Sequence, residues 1–173
     1  MLRLLLAAAA IAATPPPAWI QRAVPPPIVA WRQADLLGTP IPEGVAVSAA
    51  AGSYFVGVVD SRLDPPEMVL DFELAKTGRG TGVKTLLAGR ITGAARGEIA
   101  VVLRLPTAAL PRPMTEIAWI LRVHGGELRL VRRFVADEIV VSGHTVKLTW
   151  KGSPARVEVW RYERGAYRLV ARS

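Results

Sequence analysis

The chain has 173 residues, of which 51% are hydrophobic and 21% charged, a balance that excludes a disordered polypeptide and suits one domain with its own core. It contains no cysteine, which excludes disulfides, thiolate metal sites, cysteine nucleophiles and a lipid-modified N-terminal cysteine. The formal net charge is +8 and 18 of the 22 basic residues are arginine, so the partners to look for are anionic.

The first segment, MLRLLLAAAAIAA, places Arg3 ahead of an apolar run over 4–10 and then small residues. This is the layout of a secretory signal peptide over 1–13, with cleavage expected after Ala12 or Ala13 and export to the periplasm, cell surface or medium. An N-terminal membrane anchor is the alternative. Against it, the apolar run is shorter than the ~20 residues a spanning helix needs, and Pro15, Pro16 and Pro17 close it off. No later stretch is long enough to span a bilayer. Residues 14–44 hold eight of the 14 prolines and read as a linker, with a weak helical turn near 30–37 and with Trp19 and Trp31 able to dock onto the folded body.

Residues 45–173 read as an all-β domain. The segment 45–59 predicts two short strands parted at Gly52-Ser53, and 60–67, DSRLDPPE, predicts a loop. Met68, Leu70, Phe72 and Leu74 alternate with Val69, Asp71, Glu73 and Ala75, an amphipathic strand with one acidic face. TGRGTG (77–82) is a turn, strands follow over 83–92 and 98–105 around a loop at 93–97, and a proline-containing break falls at 110–113. Helical periodicity is poor throughout. The expected architecture is an antiparallel meander of about ten short strands, closing as propeller-like sheets, a sandwich or a barrel.

From 117 to 172 the strand registers can be specified. A two-residue turn at Gly125-Gly126 sets His124 opposite Glu127, Val123 opposite Leu128, Arg122 opposite Arg129 and Leu121 opposite Leu130. One side of that hairpin then carries Trp119, Leu121, Val123, Leu128 and Leu130; the other carries Arg122, His124, Glu127, Arg129 and Arg133. Turns at Gly143-His144 and Arg164-Gly165 set Val141 opposite Val146, Ile139 opposite Leu148, Tyr162 opposite Tyr167 and Arg161 opposite Arg168. Arginine directly across from arginine is unfavourable unless solvent, a carboxylate or a ligand intervenes.

WRYERGAYRLV (160–170) resembles the strand-aromatic-x-x-Gly-x-Tyr-x-Leu-Val hairpins of exported bacterial FG-GAP and VCBS propeller-like repeat proteins. VHGGELRLVRRF (123–134) is a looser copy, DEIVVSGHTVKLTW (137–150) is similar to the strand pair between such copies, and GEIAVVLRL (97–105) is similar to the strand after the family's acidic loop. The resemblance covers the last half of the chain and implies a β-module used for display or binding. The family's Asp-x-Asp-x-Asp-Gly calcium loop is absent, and the stretch 60–64 lacks its spacing and its glycine, so no metal or other cofactor is expected.

Other chemistry is poorly served. TGRGTGVKT (77–85) interposes Val83 between Gly82 and Lys84, which breaks the Gly-Lys-Thr of a phosphate loop. Ser53 lacks the flanking glycine of a nucleophile elbow. His124 and His144 lie at turns, with Glu127 and Asp137 or Glu138 able to supply a carboxylate partner, and two histidines without a third ligand make a poor metal site. Asp60, Asp64, Glu67, Asp71 and Glu73 would suit a hydrolase only if the fold paired two of them in a cleft. Trp119, Trp150, Trp160, Tyr162 and Tyr167 are read as packing residues, with a glycan-stacking platform as the alternative. Residues 112–173 carry twelve basic and six acidic groups. The expected function is therefore non-catalytic: a monomeric or weakly associating module whose Arg122, Arg129, Arg133, Arg161 and Arg168 meet an anionic polymer or envelope protein. Nucleic acid is not the expected partner, because export removes it and no basic-aromatic module is present. A secreted hydrolase using Asp60, Asp64 or His124, and a purely structural envelope module, are the alternatives.

Overall fold

The computed structural model describes residues 14–93, 97–105 and 115–173. The predicted signal segment, the break at 110–113 and the middle of the 93–97 loop lie outside these. The described chain holds one short helix, α1 (Ala18–Ala23), and twelve strands rather than ten. They form three open antiparallel sheets of four strands. The first is β1 (Ile28–Ala34), β2 (Glu43–Ala50), β3 (Ser53–Asp60) and β4 (Glu67–Lys76). The central sheet is β5 (Gly82–Gly89), β6 (Glu98–Leu105), β7 (Thr115–His124) and β8 (Glu127–Ala136). The third is β9 (Glu138–Ser142), β10 (Thr145–Trp150), β11 (Arg156–Glu163) and β12 (Ala166–Arg172). Every sheet is a simple meander, as short links between consecutive strands favour.

The central sheet is covered on both faces, and β6 shows why its sequence is continuously apolar. Ile99, Val101 and Leu103 point into one core with Val45, Val47, Val56 and Val58 of the first sheet. Ala100 and Val102 point into a second core with Ile139, Val146, Leu148 and Tyr167 of the third sheet. A strand buried on both sides loses the polar half of the alternation. Each fully buried Val, Ile or Leu contributes about 1.5–3 kcal/mol, and all five β6 residues are 0% exposed.

The proline-rich segment belongs to the fold. The weak helical turn expected near 30–37 is instead strand β1, which pairs with β2 from Ile28↔Ser48 to Ala34↔Glu43. As an edge strand it has one side free of ladder bonds, the one place where proline-flanked sequence can join a sheet. Helix α1 is far shorter than an isolated helix could be. Pro17 fixes its start and accepts hydrogen bonds from the Ile20 and Gln21 amides, and Pro25 follows its end. Packing holds it: Ile20 and Val24 are buried against Ala46 and Val59, with Trp19 alongside. Gly44 makes that approach possible, because a Cβ there would sit 2.6 Å from the Trp19 ring. Trp31 is anchored by a 2.7 Å hydrogen bond from its indole to the Thr14 carbonyl. Both tryptophans thus dock on the body.

The remaining strand expectations over 45–105 match within a few residues, the clearest departure being β5, which ends at Gly89. All three hairpin registers match: His124↔Glu127 to Leu121↔Leu130, Val141↔Val146 with Ile139↔Leu148, and Tyr162↔Tyr167 with Arg161↔Arg168. The predicted faces fail at one position. A register shift between Ile120 and Leu121 makes Val131 an extra residue of β8, so Arg133 pairs with Trp119. Arg133 therefore stands on the side of Leu121 and Val123, opposite to Arg122 and Arg129. Leu130 keeps its predicted side but is 47% exposed, because β8 is the edge of its sheet.

Candidate functional site

The structure separates the five arginines chosen from sequence. Arg122 and Arg129 lie on the central-sheet face that looks toward the third sheet, Arg133 on the reverse face, and Arg161 and Arg168 on the far side of the third sheet. They do not form one surface. For Arg122 the group that intervenes between the opposed arginines is a carboxylate. Glu98, 0% exposed, is the cross-strand neighbour of Arg122 and receives its Nε at 3.0 Å and its Nη2 as well. Arg122 Nη2 also donates to the Tyr162 hydroxyl, and the guanidinium carbon lies 4.9 Å from the centre of that ring. Burial works against its charge, but the bonds to Glu98 and Tyr162 outweigh it and hold the guanidinium above its ordinary pKa. Arg129 pairs with Glu127 at 3.2 Å, both exposed.

A matching arrangement sits at the other end of the same strands. Glu116 is the cross-strand neighbour of Arg104, as Glu98 is of Arg122, with the charges exchanged between β6 and β7. Glu116 receives Lys84 Nζ at 2.6 Å, Arg104 Nη2 at 3.3 Å and the Ile139 amide at 2.7 Å. Lys84 also donates to the Ile139 carbonyl at 3.0 Å. Two buried carboxylates thus bracket the second core, each tying the central sheet to the third. Sequence reasoning missed both. The available signal was a strand, EIAVVLR, with a charge at either end of its apolar run and both ends on one face. Lys84, which had invited the phosphate-loop comparison, serves this structural clamp.

The candidates for hydrolysis disperse. Asp60 is engaged by Arg62 through Nε at 2.8 Å and Nη2 at 2.6 Å, which brings its pKa down to about 2. Glu73 is bound by Lys76 at 2.9 Å and by the Ser53 hydroxyl at 2.8 Å, the lysine being the main cause of its lowered pKa. Asp64 and Glu67 are exposed. Asp71 is the one carboxylate lining a hollow on the first sheet. His124 and His144 are exposed at separate turns, and no group of three or more metal-ligating side chains occurs among the described residues.

The aromatic residues are packing elements. Trp119 is buried in the first core and Tyr167 in the second. Phe134 meets Trp160 at 5.8 Å and Tyr167 at 5.3 Å, both edge-on. Trp150 and Trp160, both half-buried, have arginine over one ring face, Arg156 on Trp150 at 3.9 Å and Arg132 on Trp160 at 4.9 Å, so those faces are not offered to a sugar ring. The Tyr167 hydroxyl is buried without a hydrogen-bond partner among the described residues, and burial raises its pKa.

The face of the third sheet turned away from the second core is the remaining charged surface. Ser142, Thr145, Arg161 and Arg168 form one cross-strand row, and Val140, Lys147, Val159 and Ala171 the next. Arg161 and Arg168 stand directly opposite each other, with Glu163 3.6 Å from Arg161 in a solvent-exposed pair. Arg168 and Lys147 have no ion-pair partner among the described residues. Among the described residues, no helix is long and apolar enough to cross a membrane. Comparison with known proteins finds no family model and no curated sequence that matches the chain.

Proposed function

We propose that the chain is an exported, non-catalytic binding module that holds an anionic polymer or partner protein on the outer face of its third sheet. The observation that carries this reading is the opposed pair Arg161 and Arg168, set on the outer sheet face with Lys147 in the adjacent row. Two guanidinium groups held side by side donate bidentately to carboxylate, sulfate or phosphate groups, and among the described residues one half-buried carboxylate, Glu163, pairs with one of them. The remaining three arginines take no part: Arg122 is consumed inside the molecule, and Arg129 and Arg133 face elsewhere. Export rests on the basic-apolar-small pattern of 1–13.

The test is a titration with a sulfated polysaccharide and with polyglutamate at several salt concentrations. Binding is expected to weaken steeply with salt, and the double variant Arg161→Ala/Arg168→Ala to lose about tenfold or more in affinity, a loss of ~1.4 kcal/mol. Binding indifferent to salt, or unchanged in the double variant, would end the proposal.

A further inference from the structure

The outer face of the first sheet is only half covered. Trp19, Ile20 and Val24 of the α1 segment lie over Gly44, Ala46 and Val59, but beyond Val24 the chain turns away through Pro25 into β1. The next cross-strand positions, Ser48 with Phe55 and Ala50 with Ser53, follow on the same sheet, and Ser48, Ala50 and Phe55 line a hollow of about 290 Å³. Small residues and one thioether shape its floor. Gly57 has no Cβ, and one built on it would lie 2.5 Å from the Met68 sulfur, so the thioether rests where a side chain would otherwise stand.

The chemistry of the lining is one-sided. The Ser48 hydroxyl is spent in a short hydrogen bond to the Pro25 carbonyl. That leaves Asp71, cross-strand neighbour of Gly57, as the one charged group on an otherwise apolar surface. Asp71 has no hydrogen bond or ion pair among the described residues, whereas Asp60 and Glu73 on the same two strands are both neutralised. An apolar space with a single anion beside it complements an apolar body bearing one positive charge.

From this we infer that the hollow between Val24 and Pro25, just after α1, and strands β2 to β4 is a binding site for a small amphiphilic amine, the apolar body lying against Phe55, Ala50 and Met68 and the ammonium meeting Asp71. Met68, flexible and polarizable, forms an adaptable wall. This site is separate from the arginine face, on a different sheet and of opposite charge, so the two readings stand or fall independently.

The experiment titrates the full chain, methyl-labelled at methionine, with n-octylammonium, 1-octanol and octanoate while following the Met68 methyl resonance. Octylammonium is expected to shift that resonance saturably, with octanoate at least about tenfold weaker. Asp71→Asn should abolish the preference for ammonium over alcohol while leaving the alcohol's affinity unchanged. Ala50→Phe, at a half-buried rim position, should weaken all three probes. An unsaturable Met68 response, equal binding of octanoate, or an unaltered preference in Asp71→Asn would overturn the inference. So would a Met68 shift that appears on concentrating the protein without probe, which would assign the face to a second copy of the chain.

Discussion

Glu98 is the residue whose removal should be felt most. It is fully buried and accepts hydrogen bonds from Arg122 and, at 2.7 Å each, from the amide and hydroxyl of Thr92. Glu98→Ala strands Arg122 in a low-dielectric interface, and breaking a buried pair from one side costs about 3–5 kcal/mol. Tyr167→Phe should act in the opposite sense, because it deletes a buried hydroxyl that has no partner among the described residues and leaves the ring packing on Phe134 and Tyr162 intact. A gain of about 1 kcal/mol is expected. Urea unfolding of both variants checks the pair: a stable Glu98→Ala protein would mean that the clamp between the sheets carries no weight. Residue roles were the hardest thing to read from sequence. Arg122 was correctly placed across from Arg129, yet its partner lies 24 positions earlier in the chain, and that distance is closed only by tertiary pairing.

Element by element, the sequence was most legible where turns are local. Gly-Gly, Gly-His and Arg-Gly each define a two-residue reversal, and the three registers that follow from them are the ones observed. It was least legible where a contact decides. Proline density argued for a linker over 14–44, but Trp19 and Ile20 bury themselves against a glycine, and an edge strand tolerates what a central one does not. Gly97 repeats this logic more severely. A Cβ there would fall on the backbone of Leu36, which cannot swing aside as a side chain can. Gly97→Ala is accordingly expected to cost about 2–3 kcal/mol, within the range for overpacking, whereas Gly44→Ala, whose nearest neighbours are the Trp19 and Ile20 side chains, should cost less. Thermal denaturation of the two variants would reverse that order if the loop carrying Leu36 gave way readily.

For the whole molecule, burial of the central sheet on both faces predicts a gradient of protection. Amides of β6 should exchange with solvent only through global unfolding, because opening that strand requires both cores to come apart. Amides of β1 and β12, at sheet edges, should exchange by local fraying. Hydrogen exchange resolved by residue checks this; β6 exchanging as fast as β12 would show that the central sheet opens without global unfolding and that burial on both faces does not protect it. The stacking of three meanders was not readable from sequence, because alternation within a strand tells which residues are buried but not against which neighbour.

The extra residue at Val131 has a consequence for how the two cores are built. Leu128 enters the first core, while Phe134 and Ala136, also at even positions of the same strand, enter the second. A regular strand would send all of them the same way. Strand β8 is in effect two half-strands spliced out of phase, each furnishing a different interface, so one inserted residue lets a single edge segment serve as mortar on both sides of the wall. Deleting it would not merely shorten β8; it would set one half of the strand facing the wrong room.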